Sequence, residues 1–342
     1  MLTATTRRRG ALRIALAAVL TVLISSLSAP ALAQQYDEPV DDEGGTKSLR
    51  ERLDDATAAY QDAKAALDES EKRELKLTKE LNALQDEMDE LVEDLQVLAA
   101  NAYRAGRVGT FAALLDSSSP TQFVERVATV DMIAMRENEA LARLKEINDS
   151  LEEQRDLIAA EIKLQEEELA KLDEAVKKAE QALFAVGGGS TGQFVAYESP
   201  LAKPAPRNAN GTWPSESCSM PDPTTSGCVT PRMLHAYEEA RLFGFTRYTS
   251  CYRGGSFGEH PLGRACDFSA QPNGFGGVAT GTDKEYGDRL ASFFVTNADR
   301  LAVQYVIWYR QIWMPGTGWR SYSGSCGDPN CDHTNHVHVS IR

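Results

Sequence analysis

The sequence predicts an α+β protein in which a long antiparallel α-helical coiled-coil hairpin precedes a small α+β domain. Three observations carry this. A proline-free stretch rich in Ala, Glu, Lys, Leu and Asp runs from Ser48 to about Gly106, a glycine- and proline-rich passage begins at Gly187, and all six cysteines fall between Cys218 and Cys331. The first is a helical composition, the second a linker, and the third marks the globular part.

At the N-terminus, Arg7-Arg8-Arg9, an apolar run from Ala11 to Leu27 and Ala31-Leu32-Ala33 read as a secretory signal peptide over 1–33, cleaved after about Ala33. A membrane anchor is the rival reading, since the run approaches a minimal span. Residues 34–47 form an acidic linker. Loss of Arg7, Arg8, Arg9 and Arg13 takes the net charge from −14 to −18, which argues against a nucleic-acid partner held by phosphate contacts.

The hairpin spans 48–186. Leu77, Leu81, Leu84, Met88, Leu91, Leu95 and Leu98 alternate in steps of four and three, a heptad seam. A second seam runs through Leu141, Leu144, Leu151, Ile158, Ile162, Leu169, Leu172, Val176 and Leu183, with Asn148, Arg155 and Gln165 at intervening seam positions. Two helices of on the order of 60 residues, roughly 90 Å each, bury both seams by folding back on one another. An intermolecular coiled coil is the alternative. Ala102 to Pro120, apolar but broken by Gly and Pro, predicts a short helical cap on the hairpin.

Residues 187–214 form the Gly/Pro-rich linker, which lets a coil-anchored domain reach out or pack back. Residues 215–342 are long enough for one core. Pro231 to Phe243 reads as a helix with proline at its start and Gly244 as its stop. Phe245 to Tyr252, Ala265 to Ser269, Tyr305 to Tyr309 and His336 to Ile341 read as strands, and Lys284 to Thr296 as a helix. The even cysteine count in an exported chain reads as disulfides, most simply Cys218–Cys228, Cys251–Cys266 and Cys326–Cys331.

Four of the five histidines lie in two short clusters: His260, seven residues before Asp267, and His333, His336 and His338 near the C-terminus. In a strand, residues i and i+2 share a side, so His336 and His338 face one site while Val337 and Val339 enter the core. Two nitrogens and one carboxylate from His260, Asp267 and His338 make a three-ligand Zn2+ site with a fourth position open, as catalytic zinc needs. His333 or His336 is then the base, since an imidazole titrates near neutrality. Asp332 is placed to orient His333. Trp308, Tyr309, Trp313 and Trp319 are candidates for groove walls or for core. His235, outside both clusters, packs or faces solvent.

Ser250-Cys251-Tyr252-Arg253, His-x-x-Gly-x-Ala-x-Asp and the terminal His-x-His resemble the LAS metallopeptidases, a group that includes D-Ala-D-Ala carboxypeptidases and murein endopeptidases. The resemblance implies a LAS-type domain with an antiparallel sheet. It makes His260, Asp267 and His338 the zinc ligands, sets His336 beside the metal and gives Arg253 the substrate carbonyl or carboxylate. The D-Ala-D-Ala branch has a glutamate at the position of His333, whereas the murein endopeptidase branch, like this chain, has a histidine there. Residues 48–186 resemble the coiled coils of secreted peptidoglycan hydrolases, which often dock on a membrane complex of the FtsE/FtsX type. The function so implied is a secreted, cell-wall-associated zinc peptidase acting on peptidoglycan. A non-catalytic wall-binding activator that recruits a partner hydrolase is the alternative.

Overall fold

The computed structural model describes residues 45–185, 188–189, 196–322 and 327–342, leaving aside the side chains of 105–111 and 113. The expected signal peptide, most of the acidic linker, residues 186–187 and 190–195 of the hairpin end and linker, and Cys326 lie outside the described residues. No helix among the described residues is long and apolar enough to cross a membrane.

Two helices make the hairpin, α1 (Lys47–Leu115) and α2 (Pro120–Ala185). Thr46 caps α1, its hydroxyl accepting from Leu49 N. At the turn, Ser119 Oγ accepts from Gln122 N at 3.2 Å and the Gln122 amide oxygen accepts from Ser118 N at 2.7 Å. Pro120 then occupies the first helical position, where its missing N–H costs nothing. The short separate cap expected over 102–120 is not formed, because α1 runs unbroken to Leu115. Gly106 and Gly109 cost about 1 kcal/mol each, too little to stop a helix already nucleated over so many turns.

The helices are antiparallel, as their cross-pairs show. Arg73 grips Glu161 (2.8 and 3.0 Å), Gln165 Nε2 donates to Glu74 (2.8 Å), and further out Arg143 grips Glu87 (2.5 and 2.8 Å). The α1 seam is as the heptads indicate from Leu77 to Leu95, while Leu98 is exposed. On α2 half of the seam is displaced by one residue: Leu144, Leu151, Ile158 and Leu172 do face α1, but their partners are Ile147, Gln154, Glu161, Glu168 and Ala175. Leu141, Ile162 and Leu169 stand in solvent instead. Glu161 takes a seam position because Arg73 and Ser70 satisfy its carboxylate there, and apolarity alone could not reveal this.

The C-terminal domain opens with a two-strand ribbon, β1 (Met220–Pro221) and β2 (Cys228–Val229), followed by α3 (Pro231–Leu242). Next come β3 (Thr249–Ser250), β4 (Ala265–Ser269), α4 (Gly281–Thr296), α5 (Ala298–Leu301), β5 (Val303–Trp308), β6 (Gln311–Met314), β7 (Gly318–Ser321) and β8 (His336–Ile341). The last six strands form one antiparallel sheet in the order β3-β4-β8-β5-β6-β7. The strand expected over Phe245 to Tyr252 shrinks to two residues, and β6 and β7 were not foreseen.

Each face of this sheet has its own partner. Cys266, Phe268, Val306, Trp308, Val337 and Val339 pack against α3 and α4 through Met233, Ala236, Leu290, Phe293 and Phe294. On the opposite face, Tyr305, Ile307, Ile312, Met314 and Tyr322 pack against Leu49, Leu53 and Ala56 of α1 and Ala179, Ala182 and Leu183 of α2. The root of the hairpin is thus half of a core. The linker packs back: Ala202, Ala205 and Trp213 are buried with the helical face, and Gly189 exchanges hydrogen bonds with Ser321 at the β7 edge.

Polar contacts lock the root in place. Arg264 bridges Asp54 of α1 (2.7 Å) and Glu259 (2.6 and 3.0 Å), Arg342 grips Asp62 (2.6 and 2.8 Å), and Gln61 Nε2 donates to Val303 O at 2.9 Å. Burial, reinforced by the Asp54 carboxylate, pushes Glu259 up to about 7 against the pull of Arg264.

Leu53 is fully buried between hairpin and sheet. Leu53→Ala is expected to cost about 2–5 kcal/mol, read by denaturant unfolding of the whole chain followed at the domain's tryptophans. An effect confined to helical signal would refute the shared core. The folded protein keeps the Glu259 proton to about pH 7, whereas an unfolded chain sheds it near the ordinary glutamate value. Stability measured with chelator present is therefore expected to fall as pH rises from about 4.5 to 7, and Glu259→Gln to flatten that slope.

Candidate metal centre

Asp267 and His338 are directly opposite in the β4–β8 ladder, and Ile307 of β5 is opposite His338 on its other side. Residues opposite one another share a face, so this pairing sets the carboxylate and the imidazole side by side. They occupy the face that the hairpin root covers further along. His260 arrives from the loop between β3 and β4. That loop turns at Gly263, where φ is +68° and a Cβ would meet Cys218 Sγ at 2.5 Å and the Cys228 carbonyl at 2.8 Å, so only glycine fits.

His260, Asp267 and His338 converge as the spacing implies. His260 Nε2 is 3.2 Å from His338 Nδ1 and 3.3 Å from Asp267 Oδ1, and His338 Nδ1 is 2.9 Å from Asp267 Oδ1. Four ligands arranged tetrahedrally about zinc at about 2.1 Å are separated by roughly 3.4 Å, close to these values. All three residues are buried.

Proton bookkeeping strengthens the fit. His260 Nδ1 faces the Cys251 carbonyl, which can only accept, so a neutral His260 turns a bare Nε2 toward the Asp267 carboxylate. His338 Nε2 lies 2.8 Å from the Ser340 hydroxyl, which can take its N–H and leave Nδ1 bare. Outward acceptors that free inward lone pairs are the usual surroundings of histidine ligands. Lone pairs aimed at a carboxylate call for a cation between them, and two imidazoles with one carboxylate suit zinc. Burial alone would raise the Asp267 carboxyl; when the histidines are protonated instead of facing a cation, the charge on His260 and His336 and hydrogen bonds from His260 and His338 hold it well below the usual range.

Around this cluster stand the other expected residues. His336 Nε2 is 3.5 Å from Asp267 Oδ1, on the same face of β8. Arg253, for which the resemblance implies contact with substrate, donates from Nη1 to Asp267 Oδ2 at 2.5 Å. The His333 ring packs 4.8 Å from that of His336 and 5.9 Å from that of His338. Asp332 does not orient His333: its carboxylate is held by Arg310, and His333 Nδ1 donates instead to Cys331 O at 3.0 Å.

The backbone at His333 is left-handed (φ 50°), as it is at Tyr309 and Arg310 (52° and 60°). The latter two make the two-residue turn between β5 and β6, a geometry that normally demands Asn-Gly. Here the strain is held in place from outside. Tyr309 N donates to His333 O (2.9 Å), Arg310 N to Asp332 O (3.1 Å) and Tyr309 OH to Ala279 O (2.6 Å), so one strained turn anchors the strained loop beside the cluster.

The four aromatics read as groove walls or core belong to the helical-face core or pack against it. Trp308 is core, its Nε1 donating to Asp288 at 2.8 Å, and Trp313 and Trp319 pair across β6 and β7 against the helical-face core. The exposed aromatics near the cluster are Phe275, whose ring is 5.1 Å from His336, and Tyr248, edge-on to Phe275. Nothing in their sequence context marked them. Tyr305, stacked on His338 at 5.6 Å, was equally unmarked, while Ser340 could have been found from its i+2 spacing. His235 lies apart, bonded to Lys203 O.

Disulfides Cys218–Cys228 and Cys251–Cys266 are formed. Cys331 is also disulfide-bonded. The second bridge joins the carbonyl that holds His260 to the strand that carries Asp267. Bridged cysteines suit an extracellular setting.

Fold and site together define a small α+β domain whose antiparallel sheet carries a buried two-histidine, one-aspartate cluster. A family model described as VldE, C-terminal domain, matches residues 225–336, from just before β2 to the first residue of β8. That similarity takes in His260, Asp267, His333 and His336 and stops short of His338. No curated protein and no solved structure matches the chain.

The geometry yields a direct test. Purified protein is expected to bind one zinc per chain, and Asp267→Ala or His338→Ala to reduce this to trace, as read by metal analysis after dialysis. Full zinc occupancy in both variants would reject the cluster as the site.

Proposed function

We propose that this protein is an extracytoplasmic zinc peptidase that hydrolyses amide bonds in the stem peptides or cross-links of peptidoglycan, with the hairpin as its targeting or regulatory arm. The observation that carries the proposal is the convergence of His260 Nε2, His338 Nδ1 and Asp267 Oδ1 within 2.9–3.3 Å, with outward nitrogens already provided with acceptors. The disulfides support the compartment, and the LAS resemblance over residues 245–342 supports the substrate class.

Zinc bound to these three residues supplies Lewis acidity, which acidifies water and polarises a carbonyl. The chain's own groups do the rest. An imidazole, from His333 or His336, takes the proton of the attacking water and later delivers it to the leaving amine. The other imidazole and Arg253 offer positive charge to the developing oxyanion. Arg253, partly exposed beside Asp267, also suits a stem-peptide carboxylate. Phe275 and Tyr248 wall the approach to His336.

The arm reading draws support from the far end of the hairpin. Tyr103 is 89 % exposed, Leu115 81 % and Val124 65 %. Apolar side chains left in solvent at one end of a long coil suit a protein partner, and a membrane complex of the FtsE/FtsX type is the partner we propose.

The full chain is to be incubated with isolated peptidoglycan, with zinc and with chelator, and released fragments read by mass spectrometry beside Asp267→Ala. Expected are new amine and carboxyl termini in stem peptides with zinc only, and none with the variant. Intact peptidoglycan in every arm, from protein shown to carry zinc, would favour the non-catalytic activator instead.

A further inference from the structure

Two histidines compete for the role of base; both turn Nδ1 to an oxygen that can only accept, a backbone carbonyl for His333 and a buried side chain for His336. We propose that Asn335 is a positioning residue that locks His336 in the tautomer protonated on Nδ1, leaving Nε2 as the bare basic nitrogen beside the metal cluster. This rests on the zinc-peptidase reading above.

Asn335 is fully buried immediately before β8, its own carbonyl accepting from Ala270 N at 2.9 Å. Its amide orientation is determined by chemistry. Nδ2 lies 2.7 Å from Gly276 O and 2.8 Å from Asn330 Oδ1, and a backbone carbonyl can only accept, so that end is the NH2 group. Oδ1 therefore faces His336 Nδ1 at 2.7 Å. An amide oxygen can only accept in turn, so Nδ1 carries the hydrogen and neutral His336 keeps its lone pair on Nε2. That nitrogen is 3.5 Å from Asp267 Oδ1, a ligand atom, and the His333 ring lies tilted against His336 with centres 4.8 Å apart.

The consequence for hydrolysis is specific. His336 Nε2 accepts a proton from the attacking water as the new C–O bond forms. The same proton passes to the amide nitrogen as the C–N bond breaks, and the imidazole ends neutral with Nδ1–H still held by Asn335. With the opposite tautomer, Nε2 has no lone pair to offer. Asn335 touches no reacting atom and acts through His336 alone. It also ties the 272–279 loop, which carries Phe275, to the catalytic strand through Gly276 O.

The test separates tautomer control from loop support. Asn335→Asp keeps an oxygen for His336 Nδ1 but loses both NH2 contacts, and Asn335→Leu loses all three. Nitrogen-15 spectra of histidine-labelled full-length protein, with His336 assigned by substitution, are expected to show Nδ1 protonated and Nε2 bare in the wild type and in Asn335→Asp. In Asn335→Leu they are expected to show a mixture or the reverse. On peptidoglycan, Asn335→Leu should lower kcat about 10- to 100-fold with KM and zinc content little changed, and Asn335→Asp should retain most of the rate. A wild-type spectrum with Nε2 protonated overturns the proposal outright. Equal losses of rate, zinc and melting temperature in both variants would also overturn it, as the mark of a loop-support residue. The spectrum is read whether or not the protein cleaves peptidoglycan, so failure of the peptidase reading shows only in the hydrolysis assay.

Discussion

Asp267 and His338 stand opposite one another in an antiparallel ladder, and that cross-strand pair is the constraint on which the rest depends. Because strand side chains alternate, placing both on one face sends Cys266, Phe268, Val337 and Val339 to the other, where α3 and α4 cover them. The face that bears the polar cluster cannot be closed by the same helices. Its apolar remainder on β5 and β6 is closed by the root of the hairpin, through Leu49, Leu53 and Leu183. The root of the coil is thus a structural wall of the domain. Arg50 makes the connection concrete, donating to Tyr322 OH at 3.0 Å and lying over the ring of Tyr305, on which His338 stacks.

Much of the fold was legible because periodicity and punctuation agree with it. The proline at 231, the Ala265–Ser269 run and the closing His336–Ile341 strand are all found where the sequence put them. What escaped was decided by tertiary partners. Half of the α2 seam shifted by one residue because Glu161 and Gln154 hold places that apolar counting would deny them. The β5–β6 turn has Tyr-Arg where its geometry asks for Asn-Gly, and only hydrogen bonds from distant residues make it tolerable.

For the site, the pattern rules carried the inner ring and lost the outer one. Histidine and aspartate are rare enough in such spacing that His260, Asp267 and His338 could be selected from sequence, and the structure brings their heteroatoms together. Their supports could not. Asn335, Tyr305 and the Cys251 carbonyl act through contacts that only the folded chain creates, and a backbone carbonyl has no sequence signature at all. Asp332 shows the converse: next to His333 in sequence, it turns away to Arg310.

The Cys251–Cys266 bridge sits in the same short piece of backbone as the His260 acceptor and Asp267. Opening the bridge would free the backbone that positions both residues, and for any cation held there such coupling is reciprocal. By whatever factor the closed bridge tightens the cluster's hold on an ion, the bound ion hardens the bridge against reduction by the same factor.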